Sequence, residues 1–343
     1  MKRLLLFVSI FILAIAIFLV FFVPAAWFST PSASAPSVSL EVSSGDDAGT
    51  IATKLVSDGI VVSPIGYEIY ASFNALANRP KLGTYTLQPG MNYRTIANML
   101  AKGPAREEVQ LQVIEGWNLS DIADMLAKGG TSSTAFYASA GVPPNGTPFD
   151  PAWRTEFPFL AVLPKDATLE GYLFPDTYRV WKDQLPESLI EKQLQDFATR
   201  APDLASQAEA QERTLQDVVT LASIIEKEVA APADRRIVAG IFLNRLKDGM
   251  PLQSDATINY VTNSGRASAN AADLSIDSPY NTYKYKGLPP GPICNPSADA
   301  LDAALHPTQT DYQYFLTGKD GKVYYAKTLD EQDQNKIKAA QGD

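Results

Sequence analysis

The chain of 343 residues has one cysteine, Cys294, and one histidine, His306. A single cysteine excludes an internal disulfide. One cysteine with one histidine is too few for an ordinary zinc ligand set. The same scarcity removes Ser-His-Asp and Cys-His nucleophilic chemistry unless His306 itself serves, and its setting in "LHPTQ" reads as a loop or helix-end position. Positive charge is also short. Lys and Arg total 29 against 38 Asp and Glu, a formal net charge of −9. With no basic patch or stripe, nucleic acid is not an expected partner. No metal and no cofactor are expected, and what remains for chemistry is mostly carboxylates.

Charge is absent altogether from Leu4 to Phe28, an apolar run preceded by Lys2 and Arg3. That run is long enough to span a bilayer, and its basic end is expected on the cytoplasmic side. The rival reading is a cleaved signal peptide with "SASA" at 32–35 as an A-x-A-like site. The run is longer than a usual signal-peptide core, however, and Pro36 would follow the cut. The expectation is therefore a retained single-pass anchor in the cytoplasmic membrane (residues 1–30 with its cytoplasmic tip), the rest of the chain lying outside. No cysteine lies near it, so it is not a lipoprotein signal. The small-residue run "STPSASAPS" follows, with residues 31–37 as a linker.

An internal echo comes next. "TIATKLVSDG" (50–59), "TIANMLAKG" (95–103) and "DIADMLAKG" (121–129) each follow a strand-like run ending in a turn: "VSLEVSSGD", "TYTLQPGM" and "VQLQVIEGW". Each reads as strand, turn and short helix, with glycine as the helix stop. Compact strand-helix-helix-strand units of this kind resemble LysM modules, which bind the N-acetylated glycan of peptidoglycan; residues 38–106 form the candidate. The echo at 107–130 could belong to either neighbouring domain. Residues 131–165 are loop-rich, since "GVPPNGTPFDPAW" cannot be a continuous helix.

The stretch "TLQDVVTLASIIEKEV" has apolar or small residues at 215, 218, 219, 222, 225 and 229, the spacing of an amphipathic helix. Glu226 falls inside that stripe, whereas Glu228 falls on the far side, where a charge belongs. Leu221 and Ile224 sit on the back face, so the helix is expected to be buried on two sides. A carboxyl group in an apolar face must be paired or have a raised pKa. A raised pKa suits a general acid; the alternative is a buried glutamate paired with Arg235 or Arg245.

Downstream, "DRRIVAGIFLNRLKDG" is a further amphipathic helix ended by Gly249. "PLQSDATINY" then supplies Gln253, Ser254, Asp255, Thr257 and Asn259, and "DSPYNTYKYKGLPPGPICNP" supplies Tyr280, Asn281, Tyr283 and Tyr285. Amides and hydroxyls beside an isolated carboxylate suit a sugar polymer, with aromatic rings to stack on pyranose faces. The substrate-binding candidates are Glu228, Gln253, Ser254, Asp255, Thr257, Asn281 and Tyr283.

"LEGYLFPDTY", "ASIIEKE", "NRL..GMPLQSDAT..Y" and "YNTY...GLPPGPI.NP", in this order, resemble the YceG-like family of endolytic murein transglycosylases over about residues 40–335. The resemblance implies a membrane-anchored lyase of the bacterial envelope. It would cut glycan strands between N-acetylmuramic acid and N-acetylglucosamine and leave a 1,6-anhydromuramyl end. It implies Glu226 as the catalytic acid, then base, with Glu228, Gln253, Asp255 and Asn281 also matching family positions, and peptidoglycan synthases as possible partners. One departure is visible near "VYYAKTLDEQDQN", where Lys322 and Gln332 stand at places often held by histidine. Two alternatives stay open: a muramidase-type hydrolase with Asp255 as second carboxylate, and a non-catalytic glycan-binding scaffold. The expected fold is α+β: a small LysM-like βααβ domain at 38–106, then a larger domain at 107–343 with helices packed on an antiparallel sheet.

Overall fold

The computed structural model describes residues 36–74, 80–143, 146–263 and 270–341, with Phe11 and Ile12 besides. The anchor expected over residues 4–28 therefore lies, apart from those two, outside the described residues. Among the described residues no helix is long and apolar enough to cross a membrane. The protein is a mixed α and β chain that divides into two units, one up to Glu107 and one from Glu108 onward.

In the first unit, β1 (Val38–Val42) pairs antiparallel with β2 (Gly83–Leu87), Leu40 opposite Tyr85. Alternate residues face inward, so Leu40, Val42, Tyr85 and Leu87 are buried while their neighbours are not. Helices α1 (Ala48–Ser57) and α2 (Pro64–Phe73) connect the strands, and α3 (Tyr93–Lys102) follows. Ile51, Leu55, Tyr67, Ile96 and Leu100 close the core against the strand pair.

The second unit runs β3 (Glu108–Gln112), α4 (Leu119–Lys128), α5 (Ser133–Ala140), α6 (Ala152–Glu156), β4 (Thr177–Trp181), α7 (Glu187–Arg200) and α8 (Leu204–Ala210). It continues with α9 (Leu215–Glu228), α10 (Pro232–Lys247), α11 (Asp255–Thr262), α12 (Ala271–Leu274), α13 (Ala298–Leu305), β5 (Tyr314–Thr317), β6 (Val323–Ala326) and α14 (Leu329–Gln341). The expected platform of helices on one antiparallel sheet is corrected here. Among the described residues β3 pairs only with β4, and β5 only with β6, as separate antiparallel ribbons. The core is instead helix on helix: α9, α10 and α13 pack on one another through Val219, Ile224, Val238, Phe242, Leu301 and Ala304. The loop-rich 131–165 stretch also holds two short helices, α5 and α6, on either side of its Pro-rich segment.

The three echoes share one device. Gly45, Gly90 and Gly116 take positive φ (95°, 83° and 78°) in the turn after each strand, a conformation that glycine adopts without steric cost. Two residues later Asp47, Asn92 and Asn118 cap the helix, each side chain accepting the backbone N–H three positions on at 2.8, 2.8 and 2.9 Å. The third copy lies in the second unit, where its strand pairs with β4.

Candidate active site

Helix α9 starts at a capping box, in which Thr214 Oγ1 accepts from Asp217 N (3.0 Å) and Asp217 accepts from Thr214 N (2.9 Å). Leu221 and Ile224 are as buried as Val218 and Ile225, so both faces are covered. The helix stops at Glu228, and Pro232 opens α10 three residues after the extended Val229. That short reversal brings Arg235 back onto the last turn of α9. Arg235 donates to Val229 O (3.1 Å), to Ser297 Oγ (2.8 Å) and to Glu226 Oε1 (2.7 Å). Ser297 caps α13, and both its N–H (2.9 Å) and its hydroxyl (2.5 Å) donate to Glu226 Oε2. The side chains of Arg235 and Glu226 are 7% and 6% exposed. The pairing alternative from the helix pattern is therefore realised with Arg235. A carboxylate offers about four acceptor positions; three are filled here, which leaves one on Oε1 for an incoming proton or hydroxyl.

The "VIEGW" turn covers this end of α9. Lys227 Nζ donates to Gly116 O at 3.0 Å, and a Cβ on Gly116 would stand 3.7 Å from Glu226 Cγ. Gly116 N and Asn295 N donate to Asn295 O and Trp117 O respectively, tying the turn down. Glu115, beside that glycine, has its pKa raised, first by burial and then by the charge of Glu226. Sequence reasoning did not single out Glu115. The signal was present in the echo: the residue before the turn glycine is Ser44 and Pro89 in the other copies and acidic only here.

Glu228 requires a correction. It is half-buried rather than free in solvent. Ser254 Oγ donates to it at 2.5 Å. Burial raises its pKa, the Ser254 hydrogen bond works against that, and the nearby Asp255 charge adds to it. The cause is chain reversal after α10. Arg245 donates to Leu252 O and Gln313 O, both at 2.7 Å, and pins the returning segment over the end of α9.

The other candidates separate into two kinds. Gln253 is exposed and takes φ 52°, its N–H donating to Thr282 O. Asp255 accepts from Tyr283 OH at 2.8 Å. Ser254, Thr257 and Asn281 are buried and spend their polar atoms internally. Ser254 N and Thr257 Oγ1 both bond to Thr282 Oγ1, and Asn281 donates to Leu274 O and Ile276 O and accepts from Tyr283 N. Glu228, Ser254, Asp255, Thr257 and Tyr283 thus form one cluster, and Glu226, Arg235 and Ser297 another, on the same last turn of α9.

A third buried acid was quoted in a motif but not assigned. Glu170, 2% exposed, accepts from Leu119 N (3.1 Å) and Tyr260 OH (3.0 Å), and burial pushes its pKa up to about 8. Asn295 Oδ1 accepts from Gly171 N and Leu173 N, so the "LEGYLFP" and "NP" motifs meet here. Cys294 is buried, its thiol pushed up by burial. His306 is an exposed helix-end residue beside Asp302. Gln332 donates to Phe315 O, and Lys322 pairs with Asp320.

Fold and site together define an α+β protein whose candidate active site is built on two glutamates, one with its carboxyl group nearly buried and one half-buried, at the end of one core helix. A sequence model of the YceG-like family matches residues 40–338. The endolytic murein transglycosylase of Bacillus subtilis (strain 168) is 34% identical over 308 residues, covering 88% of this chain and 84% of that protein. The endolytic murein transglycosylase of Streptococcus pneumoniae (strain D39) is 33% identical over 321 residues, 87% of this chain and 57% of that protein. The crystal structure of a yceG-like protein from Listeria monocytogenes aligns with a TM-score of 0.60 at 31% identity, over 88% of this chain and all of that one. The chain belongs to the YceG-like family.

Proposed function

We propose that this protein is an endolytic lytic transglycosylase acting on the glycan strands of peptidoglycan, with Glu226 as its acid and base. The observation that carries the reading is the Glu226 carboxyl group, nearly buried, fixed by Arg235 and Ser297, with one acceptor position free. In the first step Glu226, protonated at that position, gives its proton to the glycosidic oxygen and the bond from C1 breaks. The resulting carboxylate keeps the Arg235 and Ser297 donors. In the second step the C6 hydroxyl of the muramyl residue attacks C1 and Glu226 takes its proton, which restores the starting state and closes the anhydro ring. Water is not consumed, so a covered carboxyl group serves both steps. Gln253, with its exposed amide, and the Asp255–Tyr283 pair are the polymer-binding groups in this reading.

Residues 4–28 are proposed to anchor the chain in the cytoplasmic membrane, with both units on the outer side. The LysM-like reading of residues 38–106 is supported by their strand-helix-helix-strand order. Work beside peptidoglycan synthases is carried by the family resemblance alone.

The test is mass spectrometry of strands digested with the full chain in detergent and with Glu226→Gln. Anhydromuramyl ends are expected from the first, and a loss of at least about 10²–10⁴-fold from the second, the scale of general acid-base catalysis. Reducing ends instead would mean hydrolysis. No ends from a folded wild-type protein would favour the scaffold.

A further inference from the structure

Helix α2 of the first unit is apolar on both sides. Tyr67, Tyr70 and Ala71 face the core and are buried. Ile65, Ile69 and Phe73 recur every four residues and form an exposed outer stripe, with Phe73 84% exposed. Val62, one residue before the N-cap Ser63, is 99% exposed. The rotation of the helix is fixed by close packing, since a Cβ on Gly66 would overlap the Tyr93 hydroxyl of α3. The one charge of the helix, Glu68, leans to the side: its Oε1 lies 3.8 Å from where a Cβ on Gly49 of α1 would stand. A helix at a water-facing surface carries polar residues on its outer face. Single exposed apolar side chains are ordinary, but a row of them marks a surface that something covers.

The length of chain ahead of this unit says what covers it. Ten residues separate Phe28, the end of the apolar run, from Val38, the start of β1. Fully extended they reach at most about 35 Å, and a 70-residue unit is itself on the order of 30 Å across. With residues 4–28 in the bilayer, the unit cannot leave the lipid surface. A contact too weak to hold a free protein is then sufficient, because the tether makes it intramolecular. Charge permits the approach. Residues 38–107 hold six acidic and six basic side chains, whereas the whole chain has a net charge of −9; a neutral unit is not held off an anionic bilayer as an acidic one is. A second copy fits less well. A ten-residue helix is about 15 Å long, too small a face for the roughly 800 Å² a side that a stable dimer buries. We propose that α2 docks on the outer lipid surface of the membrane through Val62, Ile65, Ile69 and Phe73, which lie at the depth of an interfacial helix. The inference rests on the anchor reading of residues 4–28 given above and deepens it.

The full chain is reconstituted in vesicles of phosphatidylethanolamine and phosphatidylglycerol, with and without bromine on the acyl chains. An environment-sensitive fluorophore is attached through Ile69→Cys, Phe73→Cys or, as control, Thr86→Cys, an exposed position between buried Tyr85 and Leu87. Cys294 is buried, and the wild type shows its background labelling. Probes at 69 and 73 are expected to shift their emission to the blue and to lose most of it to brominated lipid, while the probe at 86 does neither. Ile65→Asp, at an exposed position, is expected to return the probe at 73 to water while thermal unfolding stays near wild type. Probes at 69 and 73 that stay in water overturn the docking. So does a blue shift without bromine quenching, since protein then covers the stripe. An alkaline carbonate wash scores the anchor separately. Protein that stays in the vesicles without lipid quenching keeps the anchor and sinks the docking. Lipid quenching in protein that the wash removes upholds the docking and sinks the anchor.

Discussion

Replacing Arg235 with Met tests the centre of the proposed site. The guanidinium makes three hydrogen bonds, to Val229 O, Ser297 Oγ and Glu226 Oε1, and both partners of the ion pair are more than nine-tenths buried. Met fills similar volume but leaves the Glu226 carboxyl group buried with Ser297 alone. Removing one partner of a buried pair costs about 3–5 kcal/mol. Glu226→Gln strands the Arg235 charge and should cost a comparable amount, so its activity must be read beside its stability. The two changes share one interaction, and the double variant should be less damaged than the two losses added together by up to about 3 kcal/mol. Urea unfolding followed by tryptophan fluorescence is the assay, because Trp117, Trp153 and Trp181 all lie beyond Glu108 and report the second unit. A single-variant cost below about 1 kcal/mol, the worth of an exposed pair, would refute the reasoning, as would strictly additive losses.

Glu170 links stability to pH. Its folded pKa is raised to about 8 from 4.5, so between those values the folded state keeps a proton that the unfolded chain has lost. Stability of the second unit should therefore fall as pH rises across that window, by a few kcal/mol at about 1.4 kcal/mol per pKa unit, and level off above it; urea midpoints at pH 5 and pH 8 should show the fall, and Glu170→Gln should flatten it. Gly240→Ala should destabilise by about 1–3 kcal/mol or more, since its Cβ would stand 2.2 Å from the Thr308 carbonyl oxygen, and an unchanged melting temperature would show that the 308–312 segment is not held against α10. Gln253→Gly relieves a left-handed backbone and should leave stability unchanged or raise it by up to about 1 kcal/mol. If the exposed amide binds the strand, KM should rise in the same variant.

Local signals made part of this fold legible. Helix α9 could be placed from its apolar spacing, and the three strand-turn-helix units from the repeated pattern with glycine as helix stop, because both depend on contacts within a few residues. The site partners were not legible in the same way. Ser297 reaches Glu226 from 71 residues further along, and Gly116 meets Lys227 across 111. The partial burial of Glu228 was misread because a helical wheel sees one helix only. The segment that covers Glu228 returns from beyond α10. The sheet was over-read for a related reason. Strand-like runs were recognised one at a time, whereas pairing into ribbons or a platform is decided by how much apolar helix surface needs cover, and here α9, α10 and α13 cover one another.

The two glutamates of "EKE" now pose a sharper question than the helix pattern did. A raised pKa was the property sought in a general acid, and Glu228 is the one that burial raises, with a single hydroxyl donor. Glu226 has three donors, one of them a guanidinium. A lone acid/base must be serviceable in both protonation states, because in the middle of the reaction it is a carboxylate. Glu226 is furnished for that state and keeps a free acceptor position. Burial favours the neutral form of Glu228, which glutamine imitates. Glu228→Gln should therefore preserve the Ser254 contact and most of the activity, while Glu226→Gln abolishes it even under conditions where the variant is folded. A kinetic comparison of the two isosteric variants decides the matter: if Glu228→Gln is the dead enzyme and folded Glu226→Gln still releases anhydromuramyl ends, then the salt bridge at Glu226 is structural and the acid is the second glutamate.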